Sequence, residues 1–392
     1  MNILWFSIPA HGHTNPTLEV VRELVRRGHS VRYCSFEEFR EKIEDTGAVF
    51  IPCDAFLAPT DAKTERRLRR VSTTEMSVQS FKATARMDGM LTRQIAEFQP
   101  DGIVTDAACF WGKLTAAKHG LKMVCSTTTF AFNRESARYM EQSARELLDL
   151  LFGIPRMDRA AKELRALGYP VKSALAIVQN DNETDTVVYT SKRFQPCAES
   201  FDPVHYRFVG PSVRPLPIAR REGQRALVYA SLGTVINDRP DFYRHCVEAA
   251  RGEKLELLIS CGKAFDKSAL GPLPENVRVE NHVDQMAVLS RADLFITHCG
   301  MNSASEGLYM GVPELLFPLT GEQRAVARRV RELGAGRLLS EKEARNPDTL
   351  RAVIRAALSD PELRAGAEAM RRDLRACGGP KEAADFIEVC FS

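Results

Sequence analysis

Ile3-Leu4-Trp5-Phe6-Ser7-Ile8 runs straight into Pro9-Ala10-His11-Gly12-His13-Thr14-Asn15-Pro16, and behind it Leu18, Val21, Leu24 and Val25 recur at helical spacing until Gly28. The first stretch is apolar and β-rich, the second is full of residues that interrupt regular structure, and the third repeats its apolar positions every three or four residues. This order predicts strand, loop, helix, with the helix over residues 16–27 and Gly28 behind its last turn. Residues 31–34 read as a second strand, and 102–105 and 123–126 as later ones, with helical stretches between. Strands that alternate with helices belong to a parallel, doubly wound α/β sheet, because a parallel neighbour is reached only through a crossover.

Around Val209-Gly210-Pro211-Ser212-Val213-Arg214-Pro215-Leu216-Pro217 the text turns to linker chemistry and stays polar to Gln224. Alternation then starts afresh: strand 226–230, helix around 242–250, strands 255–260, 277–279 and 294–297, helix 303–310, strand 314–317. The expected organisation is a first domain over 1–208, a linker over 209–224, a second doubly wound domain over 225–376, and a tail over 377–392. The tail holds a helix at 381–389 whose docking site the sequence leaves open. A chain of 392 residues exceeds what one hydrophobic core usually covers, and 44% hydrophobic with 27% charged residues is an ordinary globular composition.

The net charge of +3 does not single out nucleic acid, since acidic residues offset the arginines at Arg66, Arg67, Arg69 and Arg70 and elsewhere. Residues 65–70 read as a solvated face or loop. The apolar start lacks a basic flank, which suits a first strand rather than a signal peptide, and no apolar run reaches the roughly 18 residues of a membrane helix. Ten cysteines lie singly, with no Cys-x-x-Cys and no metal-type spacing, so the expectation is a cytoplasmic protein with reduced thiols, no disulfide frame and no zinc. Neither half has Gly-x-Gly-x-x-Gly behind its first strand, which disfavours a nicotinamide or flavin enzyme, and the phosphate loop of ATPases is missing.

The densest signal is His298-Cys299-Gly300-Met301-Asn302-Ser303-Ala304-Ser305-Glu306, followed by Gly311-Val312-Pro313 and Pro318-Leu319-Thr320-Gly321-Glu322-Gln323. It starts where an apolar strand ends, at the carboxyl edge of the sheet, where ligands bind, and a helix N-terminus there presents unpaired N–H groups to an anion. A diphosphate fits: Gly300 permits close approach, Asn302 and Ser303 can cap or bond phosphate oxygens, His298 can donate, and Glu306 is placed to accept ribose hydroxyls. Ser303 and Glu306 also fit a plain capping box. Ser231-Leu232-Gly233-Thr234 supplies a second strand-to-glycine loop in the same half.

With these residues together, the chain resembles the family 1 UDP-glycosyltransferases, in particular the bacterial macrolide glycosyltransferase branch. The resemblance runs from Phe6-Ser7-Ile8-Pro9-Ala10-His11-Gly12-His13 through Phe208-Val209-Gly210-Pro211 to Gly336. It implies a GT-B fold, two Rossmann-like domains facing a central cleft, with the acceptor in the first and the nucleotide sugar in the second. It further implies transfer with inversion, from a UDP-sugar to a hydroxyl of an apolar small molecule such as a macrolide or flavonoid, with no cofactor and no metal. The absence of any Asp-x-Asp agrees, since metal-dependent transferases commonly hold their cation with such a pair.

By the same resemblance His13 matches the catalytic histidine and Asp106 its acidic partner, an arrangement that supplies a base for an alcohol. His11 reads as structural. The donor set is Ser231, Gly233, Thr234, His282, Val283, Gln285, His298, Gly300, Asn302, Ser303, Glu306, Glu322 and Gln323. Two positions depart from the family. His282-Val283-Asp284-Gln285 stands for Trp-x-Pro-Gln, an imidazole in place of the indole under the base. Glu322-Gln323 stands for Asp-Gln, one methylene longer toward the sugar, for which glucose is the first expectation. Phe81, Phe110, Trp111, Phe130 and Phe132 are candidate acceptor contacts, drawn from a wider set with Met87, Met90, Tyr139, Met140 and Phe152. Rival readings on the same fold are a UDP-sugar epimerase and a non-catalytic nucleotide-sugar-binding protein.

Overall fold

In the computed structural model the chain divides into two compact units, Met1–Tyr189 with Cys197–Ser212 and Gly378–Ser392, and Thr190–Pro196 with Val213–Cys377. The structure describes residues 1–56, 73–139, 144–171, 183–219, 223–233, 238–262 and 265–392. Residues 65–70, Met140 and Thr234 lie outside them.

Unit 1 is built on seven parallel strands: β1 Asn2–Phe6, β2 Ser30–Ser35, β3 Val49–Pro52, β4 Gly102–Asp106, β5 Lys122–Thr127, β6 Thr186–Val188 and β7 Tyr206–Phe208, in the order β3-β2-β1-β4-β5-β6-β7. Ile3-Leu4-Trp5-Phe6 of β1 and Ile103-Val104 of β4 are continuous apolar runs because helices cover both faces of the sheet, and all six residues are fully buried. Crossovers run outward in opposite directions from this central pair, so the loops behind β1 and β4 diverge and leave a crevice at the carboxyl edge.

The first helix spans His11–Arg26, so it starts ahead of the expected residue 16. Ala10 is extended and its carbonyl accepts from the amides of His13 and Thr14, each at 3.0 Å, which closes the first turn before Pro16 is reached. Pro16 then removes one donor, and its fixed φ is already helical. His13 therefore stands in a helical turn rather than in the loop that the sequence suggested.

The last helix, Gly379–Phe391, packs on unit 1. Arg27 Nη1 donates to Asp385 at 2.6 Å and to Glu388 at 2.7 Å, His29 Nε2 pairs with Glu388 at 2.6 Å, and the Gly379 amide donates to Val209 O at 2.8 Å. Ala383, Ala384, Phe386, Ile387 and Phe391 complete the core that β1 and β4 share, and the Phe391 ring lies where a side chain at Gly102 would be. Burial of this apolar face accounts for a terminal helix that sequence alone could not dock.

Unit 2 repeats the plan with β8 Ala226–Ser231, β9 Leu255–Ser260, β10 Val277–Glu280, β11 Leu294–Thr297, β12 Glu314–Leu316 and β13 Gly336–Leu338, all parallel, in the order β10-β9-β8-β11-β12-β13. β8 and β11 form the central pair. Side-chain caps fix several helix starts: Asp284 accepts from Ala287 N at 3.0 Å, Asn346 from Thr349 N at 3.0 Å and Asp360 from Glu362 N at 2.8 Å. The segment Thr190–Pro196 groups with this unit, where Arg329 donates to the carbonyls of Arg193 at 2.6 Å and Phe194 at 3.2 Å.

Candidate active site

At the crevice of unit 1, the first turn of the helix behind β1 and the end of β4 deliver His13 and Asp106. His13 Nδ1 lies 2.8 Å from Asp106 Oδ2, and Asp106 Oδ1 accepts from Ala108 N at 2.7 Å. Asp106 is fully buried while a quarter of the His13 side chain is exposed. A carboxylate only accepts, so Nδ1 carries the proton and Nε2 holds the basic lone pair. Thr128 Oγ1, from the loop behind β5, lies 3.1 Å from the same Nδ1 and steadies the ring. The sequence reading did not pick out Thr128, although the run Ser126-Thr127-Thr128-Thr129 behind a strand at the same sheet edge was the available signal. His11 is turned elsewhere, with Nε2 2.9 Å from Glu38 and the ring edge-on to Phe39 at 5.0 Å.

At the crevice of unit 2, the loops behind β8 and β11 meet around His298. A Cβ on Gly233 would lie 2.6 Å from the ring, and a Cβ on Gly300 2.6 Å from its Nε2, so the imidazole is flanked by two backbones that only glycine leaves bare. Gly233 holds φ +77°, open to glycine without strain. Cys299, between His298 and Gly300 in the chain, takes φ +64°, uncommon for a residue with a side chain, and its amide is held by Thr297 Oγ1 at 3.1 Å. Burial pulls the His298 pKa down to about 4, only partly offset by a hydrogen bond with the Ser231 backbone, so the ring is neutral at pH 7. Its Nδ1 is buried with no hydrogen-bond partner among the described residues.

Gly300 is the N-cap of the helix Met301–Tyr309 and offers no side-chain cap, so Met301, Asn302 and Ser303 form an uncapped first turn beside His298. Ser303 is therefore not an N-cap, and the capping-box alternative for Ser303 and Glu306 does not hold. Glu306 instead accepts from Gln285 Nε2 at 2.7 Å, and Gln285 Oε1 accepts from Tyr229 OH at 3.1 Å. Burial pushes the Glu306 carboxyl up to about 7, the Gln285 bond working against it and Asp284 with it. Tyr229 was not found from sequence, where it reads as a plain β8 core residue.

The remaining positions are more mixed. His282 is exposed and Val283 half-buried at the start of the Gln285–Leu289 helix. Glu322 is exposed in the first turn of the helix Gly321–Glu332. Gln323 forms a capping box with Thr320, its Oε1 accepting from Leu319 N at 2.7 Å and Thr320 N at 3.1 Å, so its side-chain oxygen is taken up by the cap. Among the acceptor candidates, Phe81 and Trp111 are corrected to core: they pack in hydrophobic clusters with no surface to offer. Phe130 is buried, Phe110 is half-buried, and Phe132 is exposed. Among the described residues no helix is long and apolar enough to cross a membrane.

Residues 254–389 match the family model of the erythromycin biosynthesis protein CIII-like C-terminal domain. The NDP-glycosyltransferase YjiC of Bacillus licheniformis is 33% identical over 99% of this chain and 97% of its own. The demethyllactenocin mycarosyltransferase of Streptomyces fradiae is 34% identical over 100% of this chain and 87% of its own. Among solved structures, the glycotransferase of kitacinnamycin superposes with a TM-score of 0.84 at 30% identity, covering 99% of this chain and 98% of that one. Likeness of this extent makes the chain a glycosyltransferase, and its two parallel α/β units are those of the GT-B class. It belongs to the macrolide-type branch of the natural-product glycosyltransferases.

Proposed function

We propose that the protein is an inverting, metal-independent transferase that moves a hexose, glucose in the first instance, from a UDP-sugar to a hydroxyl of an apolar natural product. The observation that carries this reading is the 2.8 Å pair of His13 and Asp106, which makes Nε2 the basic atom of the ring. In this mechanism His13 Nε2 takes the acceptor proton while the acceptor oxygen bonds to the anomeric carbon from the face opposite the nucleotide. The bond from that carbon to the diphosphate oxygen breaks, and UDP leaves with the electron pair. His298 and the uncapped turn at Met301, Asn302 and Ser303 hold the diphosphate and take up its charge, close to the loop Ser231–Gly233. Glu306 accepts the ribose hydroxyls with Gln285 beside it. His282 and Val283 meet the base, and Glu322 and the Gln323 amide meet the sugar hydroxyls. The mechanism gives no role to a cation or cofactor.

The test is incubation of the protein with UDP-glucose and a panel of macrolide, flavonoid and sterol alcohols, read by mass spectrometry for gain of one hexosyl group. UDP-galactose, UDP-N-acetylglucosamine and dTDP-glucose run in parallel separate the donor question from the acceptor question. Transfer from dTDP-glucose alone overturns the uridine assignment, and no transfer from any donor overturns the reading.

A further inference from the structure

Tyr229 is fully buried on β8, its ring stacked on Phe295 with centroids 4.9 Å apart and planes 11° from parallel. Its phenol is the only polar group of the side chain. It donates to Gln285 Oε1 at 3.1 Å, and the side chains of Ser231 and Ser260 hydrogen-bond to it. Ser231 in turn accepts from Gly233 N at 3.3 Å, so one chain of hydrogen bonds runs from the loop behind β8 to Glu306.

The direction of that chain is forced. An ionised Glu306 can only accept, so the Gln285 amide must present Nε2 to it, which happens at 2.7 Å, with Ser303 Oγ at 3.4 Å from the same nitrogen. Oε1 then has to face Tyr229, and the phenol has to donate. Without the phenol hydrogen Oε1 loses the donor that holds it, only Glu306 and Ser303 still select the orientation of the amide, and a flipped amide turns an oxygen toward the carboxylate.

We propose that Tyr229 is a positioning residue of the donor site: its hydroxyl locks the Gln285 amide so that Glu306 is held ionised and aimed to receive the ribose hydroxyls. The proposal rests on the reading of Glu306 as the ribose acceptor. Other charged groups around the helix Met301–Tyr309 do not take the place of the relay. Asp284, ahead of Gln285, opposes ionisation, while the Glu314 carboxyl beside Gly307 is held protonated by burial; Arg371 and Arg375 stand at the far end, near Gly311 and Tyr309, and Glu322 and Arg324 lie on the helix Gly321–Glu332.

The experiment is calorimetric titration of UDP and of 2′-deoxy-UDP into wild type, Tyr229→Phe, Glu306→Gln and the double variant, each between pH 5.5 and 8.5. Expected for Tyr229→Phe is about ten-fold weaker UDP binding, with 2′-deoxy-UDP weakened clearly less, since one charged hydrogen bond is lost only through the ribose. The pH at which UDP binding is half-developed should move upward, because Glu306 loses a donor that favours its charged form. In the Glu306→Gln background Tyr229→Phe should add nothing, and in turnover it should raise donor KM with kcat within two-fold. If Glu306→Gln weakens UDP but Tyr229→Phe does not, or if both nucleotides weaken equally or the two losses add, the relay is wrong while the donor site stands. If wild type binds neither nucleotide, or Glu306→Gln binds UDP as wild type does, the ribose assignment fails and takes the relay with it.

Discussion

His13 Nδ1 and Asp106 Oδ2 lie 2.8 Å apart, although 93 positions separate the two residues in the chain. The strand order brings them together. β1 and β4 are neighbours at the centre of the sheet, Phe6 pairs with Thr105, and the residues that follow each strand open on the same edge. Burial of Asp106 under the Ala107–Cys109 turn leaves its carboxylate two strong partners, the Ala108 amide and the imidazole. A single tautomer of His13 follows from that contact, and so does a general base.

Substitution of His13 by alanine should lower kcat by about 10²–10⁴ with an aliphatic alcohol as acceptor and leave UDP affinity unchanged. A phenol, which gives up its proton more readily, should recover part of the loss. Near-normal turnover of the aliphatic alcohol by His13→Ala would remove His13 from the chemistry.

Asp106→Asn should be damaging for a different reason. The amide can donate to Nδ1, which transfers the ring proton to Nε2 and blocks the base, and a loss on the order of 10²–10⁴ in kcat is expected. Asp106→Ala, which leaves the tautomer open and Thr128 in reach, should lose less. The reverse ranking, read from steady-state rates, would show that Asp106 acts by charge alone.

Gly233→Ala should cost donor binding as well as stability. Its Cβ would lie 2.6 Å from the His298 ring at a backbone φ of +77°, whereas Gly334, at φ +69° in the same unit, has nothing within 4 Å of that position. Gly334→Ala thus measures the backbone penalty alone, about 1 kcal/mol. UDP affinity should fall at least about ten-fold in the first variant and stay put in the second. Equal effects on affinity would mean that the His298 loop is not the nucleotide site.

Much of this was legible in the sequence, and the reasons are local. The Ser231–Gly233 and His298–Gly300 loops stand out only together: a histidine behind a strand is by itself more often structural, and the pairing of two strand-to-glycine loops in one unit is what points to a phosphate cradle. The alternation of strand and helix carried the class of both units. What stayed hidden depends on long-range packing. Gln323 looked like a ligand group and is half consumed by its own capping box. Phe81 and Trp111 could not be told from cleft residues, because periodicity gives a buried face and not what covers it. The start of the first helix was misread since Pro16 is a common first residue of helices, and here it follows a turn already closed on Ala10.

Glu314 should be a source of instability that a single substitution relieves. It is fully buried on β12, both carboxyl oxygens lack a hydrogen-bond partner among the described residues, and Oε1 occupies the room that Gly307 leaves by having no side chain. Burial holds its pKa well above 4.5, so the folded form keeps a proton that the unfolded chain sheds above that pH, and stability declines as pH rises from 4.5 toward the folded pKa. Glu314→Met removes the orphan oxygens at similar volume. Its Tm should exceed that of wild type by about 2–6 °C at pH 8, with the gain shrinking toward pH 4.5. An unchanged or lowered Tm at pH 8 would mean that the carboxyl has a partner when the protein is in solution.

His298 supplies the opposite pH signature. Its folded pKa is pulled down from 6.5 to about 4 by burial, so between those values the unfolded chain binds the extra proton and stability falls as pH drops through that window. Above pH 6.5 the contribution is complete. A bound diphosphate reverses the balance, because a doubly charged anion beside the ring favours imidazolium, and the pKa must rise in the complex. The histidine's share of UDP binding at pH 5.5 should therefore be proton uptake, read from how the binding enthalpy changes with the ionisation heat of the buffer chosen. Glu306 works the other way: ribose hydroxyls donating to it favour its charged form, so it releases a proton at and below pH 7 and offsets that uptake. His298→Gln separates the two, since it should shift the proton balance of binding at pH 5.5 toward release, leave release near pH 7 unchanged, and flatten the acid limb of the stability curve. A proton balance at pH 5.5 that is the same in His298→Gln as in wild type would place the diphosphate away from this histidine.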